Sequence, residues 1–188
     1  SLSSSLYYFN GPTVYGSLRD IKLIRKGKTI GSIDFYNYLL FGDVPNDIRL
    51  QMDDVIFLPN RGKTVTIKGE INRQGHYELL DKEGLLDLIN IAGNIKSTAY
   101  TNRIQISRIV PNDKRKLSGM DRMIIDIDLN RVLTNDALIE LLDGDIIEIF
   151  PIEEKSKNYV IIHGNSVFRP GKYQLTPGMR LLDLIANA

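Results

Sequence analysis

The sequence contains no cysteine and only two histidines, His76 and His163, in 188 residues. The absence of cysteine excludes disulfides and thiolate metal sites, and it is only weakly compatible with an oxidising compartment. Neither histidine lies at ligand spacing from the other, so no metal site is predicted. The formal net charge is +1, which gives the whole chain no electrostatic preference for nucleic acid, and we predict no nucleic-acid partner.

Long apolar runs are also missing. No run approaches the ~20 residues that a membrane-spanning helix needs, so any membrane association is expected through segments outside this sequence. No secretory signal is visible, and the chain is expected to begin inside a domain. A composition with 43% hydrophobic and 25% charged residues is typical of a globular chain with one large domain or two small ones.

The common catalytic and phosphate-binding patterns are broken. Residues 62–64 read Gly-Lys-Thr, but the glycine that a phosphate-binding loop requires five residues earlier is Phe57. Residues 126–130 resemble the start of a calcium loop, but Arg131 and Ala137 replace its required glycine and glutamate. No nucleophile elbow is present. We therefore predict no catalytic residue, no cofactor site and no enzymatic activity.

What the sequence does contain is a repeat. Residues 65–93 read VTIKGEINRQGHYELLDKEGLLDLINIAG, and residues 160–188 read VIIHGNSVFRPGKYQLTPGMRLLDLIANA. The signature residues Gly69, Gly75, Tyr77 and Leu88 of the first copy match Gly164, Gly171, Tyr173 and Leu184 of the second, at offsets of 95 or 96 residues. A repeat of this length indicates one supersecondary unit that is used more than once.

Within the unit, residue types predict a hairpin, a short turn and a helix. Apolar and polar residues alternate at 65–68 and at 76–79, which is typical of half-buried strands. Gly69 leaves room for a close backbone approach or a bulge. An apolar helical stripe follows with spacing i, i+3, i+4 and i+7: Leu85, Leu88, Ile89 and Ala92. Asp87 and Asp183 recur at one place in this helix, which favours a structural role such as capping over catalysis.

Parts of the same unit extend to either side. The apolar spacing of residues 1–11 favours the helix of an earlier unit over a frayed terminus. Residues 20–25 match 103–108 at an offset of 83, and residues 33–35, expected to begin an extended segment, match 125–127 at an offset of 92. Residues 54–59 and 145–151 are predicted closing strands that end at proline. The prediction is an α+β fold with residues 1–60 as the C-terminal part of a first unit, 64–151 as a complete second unit and 159–188 as the N-terminal part of a third.

Charged and aromatic clusters are candidates for ligand contact. The possible glycan-contact residues are Arg19, Lys22, Arg25, Lys26 and Lys28, although such charges more often only solvate a surface. A second basic cluster consists of Lys114, Arg115 and Lys116. The aromatic candidates for stacking on sugar rings are Tyr7, Tyr8, Phe9, Tyr36 and Tyr38, for which packing in a core or an interface is the default.

Two stretches of the repeat carry a family resemblance: residues 169–175 (RPGKYQL) with 181–185 (LLDLI), and residues 74–79 (QGHYEL) with 85–89 (LLDLI). Together with the closing strand at 54–59, they resemble the soluble-ligand-binding β-grasp (SLBB) family over nearly the whole chain. The resemblance implies tandem β-grasp units, one complete and two partial. Such tandem copies are similar to those of bacterial outer-membrane polysaccharide export proteins.

The resemblance implies a non-enzymatic periplasmic module, associated with the outer membrane and working through subunit packing and glycan contact. It also implies a homo-oligomer of the full-length protein and polysaccharide as a partner. The alternative is a small-ligand or cofactor-binding β-grasp module, since other members bind cofactors such as cobalamin. That alternative predicts a concave apolar pocket, but no cofactor signature is visible in the sequence.

The partial units lead to a hypothesis about assembly. The first unit is predicted without an opening hairpin and the third without closing strands, and open strand edges favour pairing with another chain. We expect residues 159–188 of one molecule to complete residues 12–60 of another, with residues 1–10 and 180–188 competing for one helix position. The rival expectation is a monomer in which each partial unit stays open.

Overall fold

The computed structural model describes residues 1–8, 11, 13–43, 48–112, 114–115, 119–135, 138–153 and 158–188. The chain forms two compact units, Ser1–Pro151 and Ile152–Ala188. Helices and several sheets are mixed along the chain, which confirms the predicted α+β fold. Phe9, Lys116 and the side chain of Tyr7, which belong to the predicted aromatic and basic clusters, lie outside the described part.

The first compact unit, Ser1–Pro151, begins with a three-stranded antiparallel sheet and one helix. Helix α1 (Leu2–Tyr8) is followed by β1 (Ile21–Arg25), β2 (Lys28–Ile33), a π-helical turn (Asn37–Phe41) and β3 (Val55–Phe57). The strand order is β2-β1-β3. Leu2 and Leu6 of α1 pack with apolar residues of this sheet in a small core, which confirms the helix predicted near the start of the chain.

A five-stranded mixed sheet follows in the same compact unit. It contains β4 (Thr64–Gly69), β5 (Gly75–Glu78), α2 (Leu85–Ile91), β6 (Ala99–Ile109), β7 (Arg122–Ile127), α3 (Leu129–Asn135) and β8 (Ile146–Pro151). The strand order is β5-β4-β8-β6-β7, with β4 and β8 parallel and every other pair antiparallel. This hairpin, helix and returning parallel strand form the predicted β-grasp arrangement.

Helix α2 packs its apolar stripe on the sheet as its spacing predicts. Leu85 and Leu88 are completely buried and Ile89 is nearly so, whereas Lys82 is exposed. Each such side chain contributes ~1.5–3 kcal/mol when it is removed from water. Asp87 accepts a hydrogen bond from the Gly84 backbone N–H at 2.8 Å, so its predicted capping role is confirmed.

Gly69 ends β4 where two backbones come close. Its φ is +91°, and a Cβ at this position would lie 2.0 Å from the Ile149 carbonyl oxygen of β8. Only glycine fits this combination of a left-handed conformation and a contact with main chain. The predicted close backbone approach is therefore confirmed.

The expectation that residues 33–35 begin an extended segment is wrong. β2 ends at Ile33, and the chain turns helical from Phe35. Asp34 Oδ1 accepts the Tyr36 backbone N–H at 3.0 Å, just as Asp128 Oδ1 accepts the Asn130 backbone N–H at 3.0 Å before α3. The structural match of Asp34 is thus Asp128, an offset of 94 rather than 92, because both aspartates start a helical turn after a strand.

The second compact unit, Ile152–Ala188, contains β9 (Tyr159–Ile162), β10 (Gly171–Gln174) and α4 (Leu181–Asn187). The two strands pair antiparallel in a hairpin. Leu184 is buried, while Leu181, Leu182 and Ile185 are exposed. Asp183 accepts the Arg180 backbone N–H at 2.8 Å, which reproduces the Asp87 cap.

Candidate functional site

Arg19 lies at the junction of the two sheets within Ser1–Pro151, with only 6% of its side chain exposed. Its Nε donates to Asp34 at 2.8 Å, its Nη2 donates to Glu83 at 2.7 Å and its Nη1 donates to the Glu78 carbonyl at 2.9 Å. The guanidinium also lies 4.6 Å from the ring centroid of Tyr36. Burial opposes the charged form, but the hydrogen bonds to Glu83 and Asp34 outweigh it and raise the pKa of Arg19.

Glu78 is the second buried member of this junction. Glu78 is buried although it is one of the polar residues in the period-two alternation of β5. Its carboxylate accepts the backbone N–H groups of Leu18 at 3.1 Å and of Gly62 at 2.9 Å. Its own N–H donates to the Tyr36 hydroxyl at 3.0 Å, and burial raises the pKa of Tyr36. Two sheets meeting at this edge thus override the strand pattern.

Arg25 is held in a second charged contact. Its Nε and Nη2 donate to the two carboxylate oxygens of Asp54 at 2.7 and 2.8 Å, and Nη2 also reaches the Arg49 carbonyl. The guanidinium of Arg25 and the backbone N–H of Gln51 lower the pKa of Asp54 to about 2. Arg25 therefore forms a bidentate pair at the start of the closing strand.

The same pair recurs in the five-stranded sheet. Arg108 Nη2 donates to Asp145 at 2.8 Å and to the Glu140 carbonyl at 2.9 Å. Asp145 accepts the Leu142 backbone N–H three residues earlier, as Asp54 accepts that of Gln51. Sequence reasoning matched the arginines and the closing strands separately but did not join them; the joint recurrence of both partners was the available signal.

The remaining cations of the predicted glycan cluster lie on the β1–β2 hairpin, Lys22 near the start of β1 and Lys26 and Lys28 at the turn. Lys22 forms a salt bridge of 2.9 Å with Asp20. Lys26 and Lys28 are exposed, and Lys26 takes a positive φ of 49° beside Gly27 at 73° in the two-residue turn. The structure thus places Arg19 and Arg25 in internal pairs and leaves Lys26 and Lys28 as the cations of the cluster that face solvent.

A cleft of about 280 Å³ opens beside the π-helical turn. Its walls come from the end of β2, the π-helical turn, α1 and the loop after β5: Ser3, Arg19, Ser32, Ile33, Asp34, Phe35, Asn37, Tyr38, Asp43 and Leu80. The rings of Phe35 and Tyr38 lie 5.3 Å apart at 39°. Of the aromatic candidates, Tyr38 therefore lines a cavity, whereas Tyr36 is buried and Tyr8 is exposed.

Two tyrosines of the repeat signature have a matched role that the sequence did not reveal. The Tyr77 hydroxyl donates to the Arg73 carbonyl at 2.8 Å, and the Tyr173 hydroxyl donates to the Arg169 carbonyl at 2.6 Å. Each bond closes the hairpin turn four residues earlier. The recurrence of Arg-x-Gly-x-Tyr in both copies was the signal for this contact.

No group of three or more histidine, aspartate and glutamate side chains in the described part of the chain is arranged to hold a metal ion. His76 Nδ1 lies 2.9 Å from the Thr66 hydroxyl, across the β4–β5 hairpin. No helix within the described ranges has the length and apolar character needed to cross a membrane.

The SLBB domain model matches residues 64–122 and 159–188. The first segment runs from β4 to the start of β7, and the second contains β9, β10 and α4. These two segments are SLBB domain sequence, which confirms the resemblance in the repeated motif, and SLBB domains are associated with binding and transport rather than with catalysis. No curated protein matches the chain.

Proposed function

We propose that this chain, with its two SLBB segments, is a non-enzymatic periplasmic module of a polysaccharide export protein at the outer membrane. The observation that carries the proposal is the tandem SLBB pattern, since SLBB domains occur in polysaccharide export proteins. The proposed mode of action is subunit packing together with contact to the exported glycan. The proposed partners are a polysaccharide and further copies of the same protein.

Subunit packing has a candidate surface at β3. Within the described residues β3 pairs only with β1, and Val55 and Phe57 are 55% and 47% exposed. An open strand edge with apolar residues favours pairing with another chain. We propose residues 159–188 of a second molecule as the partner, because β9–β10 is a hairpin of the same form as β4–β5, whose first strand pairs parallel to β8. Since α1 already fills the helix position of the first sheet, only the hairpin would dock there.

Light scattering over a range of concentrations tests this packing. The parent chain is expected to associate, and Val55→Lys, which places a charge on the open edge, is expected to shift the population toward monomer. Met52→Lys, at an exposed position outside the strand, is the matched control and should associate like the parent. A parent chain that stays monomeric at every concentration would remove the proposed packing.

Glycan contact through the β1–β2 turn is the second part of the proposal. Lys26 and Lys28 present two exposed cations to solvent, and exposed charges of this kind give weak, salt-sensitive affinity for acidic glycans. A glycan array compares the binding of acidic glycans by the parent and by a Lys26→Glu, Lys28→Glu double variant. Lys82→Glu, at another exposed position, is the control. Acidic-glycan binding that survives the double variant or high salt would exclude this turn.

The alternative is a small-ligand or cofactor-binding module. The cleft beside the π-helical turn is the observation that favours it, although its lining mixes apolar and polar residues, unlike the mainly apolar cofactor pocket that this alternative predicts. A cofactor such as cobalamin absorbs visible light. The absorbance spectrum of the purified protein, after incubation with cobalamin and desalting, therefore distinguishes the cofactor-binding module from the export module. Retained stoichiometric absorbance would favour the alternative.

A further inference from the structure

We propose that the cleft beside the π-helical turn binds one sugar residue that carries no acidic group. This inference rests on the proposed function and names the ligand class of a site that is separate from the lysine turn at Lys26 and Lys28. The cleft volume of about 280 Å³ lies just below the ~300–1,000 Å³ of pockets that enclose drug-sized ligands. A space of this size suits one ring of a glycan chain rather than a large cofactor.

The aromatic wall of the cleft matches the apolar face of a sugar ring. Tyr38 is 47% exposed although it contacts Phe35 at a ring distance of 5.3 Å. An aromatic ring offers a flat apolar face and, in tyrosine, a hydroxyl at one end. Ile33 and Leu80 extend the apolar lining, so the C–H face of a ring can pack on this wall while its hydroxyls point to the polar side.

The polar side offers hydrogen-bonding groups that the fold does not use. Within the described part of the chain, no hydrogen bond engages the side-chain amide of Asn37 or the carboxylate of Asp43, and both line the cleft. The Asp34 carboxylate is fixed in position by Arg19 and by the Tyr36 N–H. The Asn37 amide and the Asp43 carboxylate can therefore bond to sugar hydroxyls without first losing bonds to the described part of the protein.

The balance of charge sets the class of sugar. Asp34 and Asp43 both line the cleft, and the one cation among its described lining residues, Arg19, is engaged with Asp34, Glu83 and the Glu78 carbonyl. A uronic acid or a sulfated ring would bring a further negative charge beside these carboxylates, which is unfavourable. Neutral and amine-bearing rings avoid that repulsion. A protonated amine would in addition be attracted by the carboxylates. This preference is opposite to that of the lysine turn.

The test compares two oligosaccharides of equal length and opposite charge on the full chain. Isothermal titration with a chitosan hexamer (glucosamine units) and with an alginate hexamer (uronic-acid units) is expected to show tighter binding of the chitosan hexamer. Tyr38→Ala removes the aromatic wall and Asp43→Asn removes one carboxylate. Each should weaken chitosan binding by about tenfold, while Tyr100→Ala, at a 42% exposed position on β6 outside the cleft, should leave it unchanged.

Each outcome is decisive for the inference. Chitosan binding that is unaffected by both Tyr38→Ala and Asp43→Asn overturns the cleft but leaves glycan contact standing. Preferential alginate binding that is lost on mutation of Lys26 and Lys28 also overturns the cleft, and it supports the lysine turn. No binding of either hexamer overturns the cleft, and the glycan array decides separately whether the glycan contact of the proposed function stands. Equal thermal midpoints of Tyr38→Ala and Tyr100→Ala would show that Tyr38→Ala weakens binding without unfolding the protein. Asp43→Asn tests the cleft independently, at an exposed position.

Discussion

The two sheets of Ser1–Pro151 are built from the same parts but differ in one of them. Each has a helix, an antiparallel strand pair, an aspartate-started helical turn and a closing strand held by an arginine–aspartate pair. The five-stranded sheet adds the β4–β5 hairpin, whereas the described residues of the first sheet contain only β2-β1-β3. The difference isolates what the hairpin contributes to this fold.

Closing strands show that contribution most directly. In β8, Ile147 and Ile149 are buried under α2 and beside the parallel strand β4. In β3 the central Ile56 is half-buried, while Val55 and Phe57 on either side of it are exposed. The hairpin therefore pairs with the outer edge of the closing strand, which in the first sheet has no partner strand among the described residues. The arginine–aspartate pair forms in either case because it joins the first antiparallel strand to the loop before the closing strand, and both sheets contain these parts.

The largest expected effect is at the junction between the sheets. Arg19→Met leaves Asp34 and Glu83 without their cation in a site where the arginine side chain is 6% exposed. Removal of one partner from a buried ion pair costs ~3–5 kcal/mol, and we expect the free energy of unfolding to fall by about that amount in urea titrations. Lys28→Met, at an exposed position, should change it by less than ~0.5 kcal/mol. Equal effects of the two variants would show that the junction does not stabilise the fold.

The second prediction compares the equivalent helices. Leu88→Ala in α2 should lower the free energy of unfolding by ~2–5 kcal/mol, because Leu88 is fully buried under a wide sheet. Leu6 is its counterpart in α1 and is also buried, but the smaller core around it should relax more readily and Leu6→Ala should cost less. Chemical denaturation of both variants measures the difference. A Leu88→Ala variant as stable as the parent would refute the assigned helix packing.

The third prediction uses two glycines that the repeat aligns. Gly69→Ala places a Cβ 2.0 Å from the Ile149 carbonyl and should destabilise the β4–β8 pairing by at least ~1–3 kcal/mol, the cost of a strained backbone position. At Gly164 the nearest atom to a Cβ is a side-chain methyl of Val167 at 3.3 Å, which can shift. Gly164→Ala should therefore have the smaller effect on the thermal midpoint. The reverse order would mean that the parallel strand is not what requires Gly69.

These cases show how far the sequence alone leads. The repeat, the helix stripes, the closing strands and the role of Gly69 could all be predicted, because they follow from periodicity and local conformation. The burial of Glu78 and Arg19 could not, since it arises where two sheets meet and no local pattern reports on that junction. The sequence matches Asp34 to Asp126, two residues before its structural equivalent Asp128, because an isoleucine–aspartate pair occurs at both 125–126 and 127–128. Only the capped turn distinguishes the two pairs.

The candidate site divides in the same way. Composition alone indicates the basic cluster and the aromatic residues as candidates. Which cations form ion pairs within the fold depends on partners that are distant in the sequence, such as Asp54 for Arg25 and Glu83 for Arg19. The cleft itself requires α1, the end of β2 and Leu80 to converge, and these segments are far apart in the sequence.

The fourth prediction concerns the arginine–aspartate pair of the first sheet at low pH. The hydrogen bonds from Arg25 and from the Gln51 backbone N–H lower the folded-state pKa of Asp54 from its ordinary value of 3.8 to about 2. A lowered carboxyl pKa contributes stability that is complete above the unfolded-state value and is lost as the pH falls toward the folded-state value. The thermal midpoint of the parent should therefore drop between about pH 4 and pH 2, and Asp54→Asn should show a smaller drop over that window from a lower starting point. Parallel profiles for the two chains would contradict the pairing.

The smallest expected effect is at the connection between the first two antiparallel strands, which differs most between the sheets. Twelve residues, 110–121, separate β6 from β7 in the sequence, whereas β1 and β2 are joined by Lys26 and Gly27 alone, both with positive φ. A two-residue turn of this kind favours Asn-Gly, because asparagine adopts the left-handed region more readily than lysine does. Lys26→Asn should raise the free energy of unfolding by roughly 0.5 kcal/mol, a fraction of the ~1–2 kcal/mol cost of a left-handed residue. Lys28→Asn, at the start of β2 where an extended conformation is required, should give no gain. If Lys26→Asn instead destabilised the chain, the tight turn that sets the register of the first sheet would be misassigned.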